Sequence, residues 1–233
     1  GKSFVLKVMT TLTRLVTNEQ EAAKVGAPTG CAAFVGGGQT WHSMLGIYPR
    51  TLHRKDFDKG GVKTVQNKLG RLKALLGDEV SLTGRTLLGW IAHRVQTNLA
   101  YGAASDGDIT GGSLLPFWRM AGDFYQLPPT ADTILYNTDS KTVPANNGAA
   151  AFARFNDVVE LETVVRQDDT QTELRALLES MRLGSDALAY DMTFVEKLNM
   201  TNMPEAQQAL YKLPGNGSIW AFPHWELAWK RNY

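Results

Sequence analysis

The chain has 233 residues, of which 43% are hydrophobic and 20% charged, a composition that excludes a disordered protein and fits a globular one. Lys plus Arg number 24 and Asp plus Glu 23, so the formal net charge of +1 excludes bulk attraction to nucleic acid, and any DNA contact must come from a local groove. The single cysteine, Cys31, excludes an internal disulfide and favours a reducing compartment, and no apolar run approaches the roughly 20 residues that span a bilayer.

Hydrophobic spacing predicts the first elements of the chain. Apolar residues recur at helical intervals between Phe4 and Val16, so an amphipathic helix is expected after Lys2. A short buried strand is predicted over residues 22–27, and a helical turn over residues 30–35 precedes the glycine break at residues 36–38. Residues 60–68 are also predicted to be helical.

The later elements continue to alternate between strand and helix. Strands are predicted at residues 72–77, 114–121 and 158–161, and helices at residues 83–99 and 172–183, with a flexible stretch at residues 102–112. Beyond Gly184 the pattern indicates only a strand at residues 218–222 and a helix at residues 225–232. This alternation predicts an α/β fold with a mostly parallel sheet and ligands at its carboxyl edge.

The chain opens on Gly1, Lys2 and Ser3, which match only the last three positions of the phosphate-binding loop G-x-x-x-x-G-K-[ST]. At a helix N-terminus, the Lys2 ammonium could contact the β and γ phosphates of ATP while the Ser3 hydroxyl binds Mg²⁺. The alternative is a chance match of three common residues, and the downstream segments favour the phosphate site.

Asp78 and Glu79 follow the predicted strand at residues 72–77. Asp78 at a strand end could hold Mg²⁺ through its hydration shell, and Glu79 could polarise the attacking water of ATP hydrolysis. The alternative is an exposed acidic turn. The apolar strand before the pair, with Ser81 and a long helix after it, favours the catalytic interpretation.

Two further residues suit a nucleotide site. Gln126 follows the predicted strand at residues 114–121, and the Pro-Pro shortly after it restricts its backbone. Its amide could contact both the γ phosphate and the attacking water, or it could instead anchor the loop. Arg166 could stabilise charge on the transferred phosphoryl group, or instead form a surface salt bridge with Asp168 or Asp169.

Small and polar residues near the first strand suit a single DNA strand. The candidates for contact with its backbone and bases are Pro28, Thr29, Gly30, Thr40 and His42. Trp41, between two of them, could stack on a base, but a core position is favoured.

Taken in chain order, these segments closely resemble the petite-integration-frequency (Pif-type) DNA helicases of superfamily one. The resemblance rests on Gly26-Ala27-Pro28-Thr29-Gly30-Cys31-Ala32-Ala33, Thr40-Trp41-His42-Ser43, Asp78-Glu79-Val80-Ser81, Gly122-Asp123-Phe124-Tyr125-Gln126-Leu127-Pro128-Pro129, Leu161-Glu162-Thr163-Val164-Val165-Arg166-Gln167-Asp168 and Met181-Arg182-Leu183-Gly184. Together they extend over residues 1–184.

The resemblance implies a RecA-like P-loop NTPase domain at residues 1–184 that lacks its first strand, then a linker and the start of a second RecA-like domain at residues 185–233. It implies a monomeric, Mg²⁺-dependent ATP hydrolase that moves on single-stranded DNA and acts on junctions or structured DNA in repair, recombination or telomere maintenance. The roles given above to Lys2, Ser3, Asp78, Glu79, Gln126 and Arg166 are those that the resemblance implies. No membrane partner is expected, and the location would be the nucleus or mitochondrion of a eukaryote or the cytoplasm of a bacterium.

The chain departs from the family pattern at several points. The glycine-rich half of the phosphate loop and the second RecA-like domain with its arginine are missing, Gly77 replaces an apolar residue, Trp41 replaces a smaller one, and Pro116 interrupts a strand. An inactive remnant that only binds nucleic acid, a RecD-like helicase and a nucleotide kinase are the alternatives, and the Gln126 segment argues against the kinase.

Overall fold

The computed structural model describes residues 1–48, 65, 69–104, 117–137, 142–167, 170–183, 196 and 199–212. The predicted elements at residues 60–68, 218–222 and 225–232 lie outside these ranges, apart from the helical Val65. Contacts divide the chain into two compact units, Gly1–Val165 and Arg166–Tyr233.

The first unit alternates helices and strands. In chain order its elements are α1 (Lys2–Thr17), β1 (Ala23–Ala27), α2 (Gly30–Gly36), β2 (Gln39–Thr40), α3 (Trp41–Leu45), β3 (Ala74–Gly77), α4 (Arg85–Ala104), β4 (Phe117–Met120) and α5 (Val143–Phe152). The second unit contains α6 (Thr172–Leu183) and α7 (Glu205–Lys212).

Among the described residues the sheet has four strands in the order β2-β1-β3-β4, and each of their pairings is parallel. In register, Gly26 of β1 lies opposite Gly77 of β3, which in turn lies opposite Met120 of β4. The α/β fold with a mostly parallel sheet is therefore confirmed, and all four strands present their carboxyl ends at one edge.

Helix α1 covers one face of this sheet. Its Leu6 is buried with Val25 of β1 and Leu76 of β3. Near the other end of the helix, Arg14 donates from Nη2 to the carbonyl of Ala23, where β1 begins, at 3.0 Å. The helix therefore runs antiparallel to β1, and its Lys2 end lies at the carboxyl edge of the sheet.

The opposite face carries the larger core. Leu75 of β3 is buried there with Trp41 of α3 and with Trp90 and Ile91 of α4. Because Leu75 and Leu76 are consecutive in β3, they point to opposite faces, and the sheet is covered by helices on both sides.

Helix α5 packs against α4 backbone to backbone. A Cβ on Gly89 would stand 1.8 Å from the carbonyl oxygen of Pro144, and one on Gly148 would stand 1.9 Å from that of Arg85. The sequence did not predict α5, because its Pro, Gly and Asn residues are weak helix formers. Thr142 starts it by accepting a hydrogen bond from the N–H of Ala145 at 3.3 Å.

The predicted strand at residues 158–161 is wrong. This segment has no strand pairing in the part of the chain that the structure describes, and Val158 and Val159 are 88% and 85% exposed. Its β-branched residues suit a strand, but a strand forms only where a neighbour satisfies its backbone. Of the predicted flexible stretch, residues 102–104 belong instead to α4, and residues 105–112 lie outside the described residues.

No helix in the described part of the chain is long and apolar enough to cross a membrane.

Candidate functional site

The carboxyl edge of the sheet brings most of the predicted site residues together. Thr40 ends β2, Pro28 follows β1, Asp78 follows β3 and Ala121 follows β4. Since the strands are parallel neighbours, the segments predicted for nucleotide and for DNA share this edge. The N-terminus of α1 lies at the same edge.

Gly1, Lys2 and Ser3 form the start of α1. Gly1 occupies the N-cap position, and its carbonyl accepts a hydrogen bond from the N–H of Val5 at 3.1 Å. Lys2 and Ser3 are both half-buried. An anion is favoured here, because Gly1 has no side chain to cap the first N–H groups and the helix dipole adds positive charge.

Asp78 is held firmly at the end of β3. It is only 4% exposed, its N–H donates to the carbonyl of Gly26 at 2.9 Å, and its Oδ1 accepts from the N–H of Glu79 at 2.9 Å. Its Oδ2 lies 4.0 Å from the Cβ position of Gly36, which also contacts Val25 on the face that α1 covers. Asp78 is thus a buried carboxyl group on the same side of the sheet as α1, and not part of an exposed acidic turn.

This environment fits a cation. Within the described ranges Asp78 has no ion-pair partner, and a buried carboxylate is stable only if it is paired or binds a metal. No cluster of three or more His, Cys, Asp or Glu side chains with metal-binding geometry occurs among these residues. Mg²⁺ suits such a sparse site, since it is bound through one or two protein oxygens together with phosphates and water.

Glu79 has a strained backbone. Its φ of 53° and ψ of 55° are left-handed, a conformation that costs a non-glycine residue about 1–3 kcal/mol. The strain is maintained by the turn that follows, where Leu82 donates to the carbonyl of Glu79 at 3.1 Å and Val80 donates to that of Ala121 at 2.9 Å. Glu79 itself is half-buried at the carboxyl edge.

Gln126 lies in a turn after β4 and not at the strand end, because β4 stops at Met120. Asp123 organises this turn: its Oδ1 accepts from the N–H of Tyr125 and its carbonyl from the N–H of Gln126, both at 3.1 Å. Gln126 is exposed and lines a cavity of about 210 Å³ together with Ser81.

Arg166 is exposed and belongs to the second unit. Its alternative partners, Asp168 and Asp169, lie outside the described residues. A role for Arg166 at the nucleotide stays a prediction.

Thr29 and Thr40 each cap a helix at the carboxyl edge. The Thr29 hydroxyl accepts from the N–H of Ala32 at 3.3 Å, and the Thr40 hydroxyl accepts from that of Ser43 at 3.2 Å. Each hydroxyl keeps its own proton as a donor, so it can cap a helix and still contact a phosphate. Pro28 and Gly30 flank Thr29 and are half-buried and exposed respectively.

Trp41 and His42 differ sharply in environment. Trp41 is completely buried, which confirms its predicted core position, and its ring lies where side chains on Gly26 and Gly77 would stand. His42 is half-buried, and that burial lowers the pKa of its imidazole below the usual value. The lowered pKa favours the neutral imidazole, which can both donate and accept a hydrogen bond.

Sequence reasoning missed three contributors to this region. Asp132 stabilises the start of α4, accepting at Oδ1 from the N–H of Thr86 at 3.1 Å and at Oδ2 from that of Leu87 at 3.0 Å. Phe124 and Tyr136 line the cavity beside Gln126. Phe124 lies within the quoted Gln126 segment but was given no role, whereas no local pattern signalled Asp132, which lies 46 residues from Thr86 along the chain.

Comparison with known proteins gives a consistent result. The model of the PIF1-like helicase family matches residues 1–184. The ATP-dependent DNA helicase RRM3 of Saccharomyces cerevisiae is 33% identical over 142 residues, covering 56% of this chain and 17% of that protein. The crystal structure of Pif1 helicase from Candida albicans matches with a TM-score of 0.53 at 20% identity, covering 80% of this chain and 40% of that one. The chain therefore spans less than half the length of both relatives, and the structural likeness shows the shared fold.

Proposed function

The chain belongs to the PIF1-like helicase family, and from that premise we propose that it is part of the motor region of an ATP-dependent DNA helicase. The whole helicase would couple hydrolysis of Mg²⁺-ATP to movement along single-stranded DNA and to duplex unwinding. Repair, recombination and telomere maintenance are proposed as its settings from family membership alone. The lone exposed Cys31 supports an intracellular location.

The observation that carries this proposal is the position of Asp78 and Glu79. A buried carboxyl group and a strained, half-buried one follow each other at the end of β3. The N-terminus of α1, where Lys2 and Ser3 lie, is at the same edge of the sheet. An acidic pair beside a cationic helix start suits a metal–phosphate ligand and an attacking water.

Each residue has a distinct proposed task at the nucleotide. Lys2 and the N–H groups of α1 would bind the β and γ phosphates, and Ser3 and Asp78 would hold Mg²⁺, which supplies charge neutralisation when bound. Glu79 would accept a proton from the attacking water. Gln126 would orient that water, and Arg166 would stabilise charge on the transferred group.

The DNA strand would lie along the neighbouring part of the carboxyl edge. Thr29 and Thr40 offer hydroxyl protons to phosphates, and Gly30 has open space within 4 Å of its Cβ position, so a strand backbone can approach closely. His42 would add a neutral hydrogen bond, and Pro28 an apolar contact.

A Glu79→Gln substitution tests the catalytic part of the proposal. It should be made in a longer form of the protein with the complete phosphate loop and a second motor domain. We expect ATP and DNA binding to persist while turnover falls at least about 100-fold, because the amide cannot accept the proton. Steady-state hydrolysis with single-stranded DNA measures this.

Glu205→Gln in α7 is the matched control, since it makes the same chemical change on an exposed residue of the second unit. Its turnover should equal that of the unmodified protein. Retained hydrolysis in Glu79→Gln would remove Glu79 from the role of base.

A further inference from the structure

The acidic pair lies on an irregularity in the pairing of β3 with β4. In an uninterrupted parallel ladder, the N–H and the carbonyl of one residue bond the facing strand on either side of a single residue. Here the N–H of Ala121 donates to the carbonyl of Gly77 at 2.7 Å, and the Ala121 carbonyl accepts from the N–H of Val80 at 2.9 Å. Two residues, Asp78 and Glu79, therefore lie between these bonds where a regular ladder has one, which makes this turn a β-bulge.

The bulge accounts for the backbone of Glu79. Glu79 is the inserted residue, and it adopts the left-handed φ of 53° and ψ of 55°. Consecutive residues of a regular strand point to opposite faces, whereas an inserted residue breaks this alternation and re-aims a side chain. The position of the proposed base thus depends on the hydrogen bond from Val80 to Ala121 that closes the bulge.

Gly122 allows the bulge to close. A Cβ at this position would stand 2.5 Å from the backbone nitrogen of Val80 and 2.6 Å from its Cγ1. The φ of Gly122 lies outside the left-handed region, so the position needs a glycine for space and not for backbone conformation. The nitrogen that the Cβ would meet is the one that donates to Ala121. A side chain on residue 122 and a closed bulge therefore exclude each other.

Neither side of this contact can move without consequence. Val80 is 6% exposed and packs in a core cluster with Leu88 and Leu135. On the other side, Gly122 leads into the turn in which the carbonyl of Asp123 accepts from the N–H of Gln126 at 3.1 Å. A methyl group on residue 122 would displace the turn of Glu79 or the turn of Gln126. Either displacement changes the spacing between the two turns.

We propose that Gly122 is a positioning residue for ATP hydrolysis: by having no side chain it keeps the bulge closed and fixes Glu79 relative to the turn of Gln126. The assignment rests on the proposed function, in which Glu79 and Gln126 act on the same water. Spacing matters at such a site because a misplacement of about 1 Å can slow a reaction by about 100-fold.

Amide hydrogen exchange of the 233-residue chain tests the structural step. In Gly122→Ala, the Val80 amide should exchange at least about tenfold faster relative to the Leu88 amide, which reports on α4. Gly148→Ala is the matched control. It makes the same change and also collides with a backbone atom, the Arg85 carbonyl oxygen, but in α5. In the control the ratio of the two exchange rates should stay unchanged.

Steady-state kinetics test the functional step, in the longer form of the protein used for Glu79→Gln. Gly122→Ala should lower kcat by about 100-fold, because only the alignment of the water and its base is disturbed. The KM for ATP and the affinity for single-stranded DNA should stay within about twofold of their original values. Gly148→Ala should retain kcat per folded molecule. A purely structural role of Gly122 would lower the folded fraction of both variants and leave the kcat of both unchanged.

Val80→Pro reaches the same contact from the other side and serves if Gly122→Ala does not fold. Proline removes the N–H that closes the bulge and disfavours a helical backbone at the preceding Glu79. It should reproduce the loss of kcat with KM retained.

An unchanged exchange ratio, or a kcat that Gly122→Ala and Val80→Pro both retain, would overturn the proposal. If these variants retain kcat while Glu79→Gln loses it, the positioning role is wrong and the proposed function stands. If Glu79→Gln itself retains turnover, the proposed base fails, and hydrogen exchange still decides whether Gly122 closes the bulge.

Discussion

At the scale of single residues, burial decides the chemistry of His42. The imidazole is half-buried in α3 beside the completely buried Trp41, and desolvation lowers its pKa. A neutral ring releases no counterion when it meets a phosphate, so His42 should contribute little to the salt dependence of DNA binding.

The lowered pKa of His42 also predicts how stability changes with pH. As pH falls below the ordinary His value of about 6.5, the unfolded chain binds a proton that the folded chain still excludes. The stability contribution is therefore complete above about pH 6.5 and is lost as pH falls through the window down to the folded pKa. In His42→Gln this loss should be absent.

Urea unfolding at pH 8 and at pH 5.5 measures the effect. The decrease in unfolding free energy between the two pH values should be smaller in His42→Gln than in the unmodified chain. An equal decrease in both proteins would show that other groups control the acid sensitivity.

From the sequence alone, the residues at the carboxyl edge of the sheet could be predicted better than the side chains and loops that surround them. Asp78 and Thr29 were predictable because an apolar strand or a helix start adjoins each of them, and parallel strands gather such positions at one edge. The burial of Ser81, whose hydroxyl has no hydrogen-bond partner among the described residues, was not predictable, because Ser81 shares its surroundings with the loop that follows β4.

At the scale of elements, the large Trp41 ring depends on a glycine opposite it. The ring lies within 2.1 Å of the Cβ position of Gly26 in β1. Gly77, the other residue that looked unusual in the sequence, leaves room first for Met120, whose Sδ lies 2.3 Å from its Cβ position, with Trp41 at 3.0 Å. The indole and Gly26 thus share one volume of the core.

A double-mutant cycle tests this packing. Gly26→Ala should destabilise the chain by about 1–3 kcal/mol, because its methyl group collides with the rigid indole. Trp41→Leu is itself destabilising through the cavity it leaves, but in that background the added cost of Gly26→Ala should largely disappear. Thermal or urea unfolding of the four proteins gives the coupling energy.

Gly30→Ala is the matched control, since nothing lies within 4 Å of its Cβ position. It should be neutral or slightly stabilising at the start of α2. Costs of Gly26→Ala and Trp41→Leu that simply add would refute shared packing.

Helix α4 begins on a cap supplied from a distant loop. Asp132 accepts hydrogen bonds from the N–H groups of Thr86 and Leu87 and from its neighbour Thr133 at 2.7 Å. We expect Asp132→Ala to lower the unfolding free energy by about 1–2 kcal/mol, since those donors lose their acceptor and the helix dipole loses its counter-charge.

Asp157→Ala, at an exposed position, is the control and should change stability by less than about 0.5 kcal/mol. Chemical denaturation compares the two variants. A change in Asp132→Ala as small as in the control would mean that water replaces the carboxylate without cost.

The sequence predicted helices correctly where a hydrophobic repeat extends over many residues. It failed for a strand whose formation depends on pairing with a neighbouring strand. α1 and α6 were predicted because their apolar residues repeat at helical spacing, and α6 occupies the predicted residues 172–183. β1 and β3 followed from apolar runs. The segment at residues 158–161 has equal strand propensity but no partner among the described strands, and propensity alone does not form a ladder.

At the scale of the whole molecule, the close packing of the first unit argues for a maintained fold. The core on the α4 face is continuous from Trp41 to Val95, and α4 and α5 meet through Gly89 and Gly148 without room for a methyl group. Such contacts tolerate few substitutions. They hold the carboxyl edge of the sheet in a fixed geometry. ATP turnover additionally depends on the rest of the phosphate loop and on the further arginine.

We expect the 233-residue chain by itself to hydrolyse ATP poorly or not at all. It contains only the last three positions of the phosphate loop, and the resemblance places a further arginine on a second motor domain. Both deficits act on the transition state, because they remove N–H donors and positive charge from the transferred phosphoryl group. A DNA-stimulated turnover near one per second or faster would contradict this expectation. Asp78→Asn makes the assay decisive: activity that belongs to this site should disappear in the variant, whereas activity from a contaminating enzyme should stay the same.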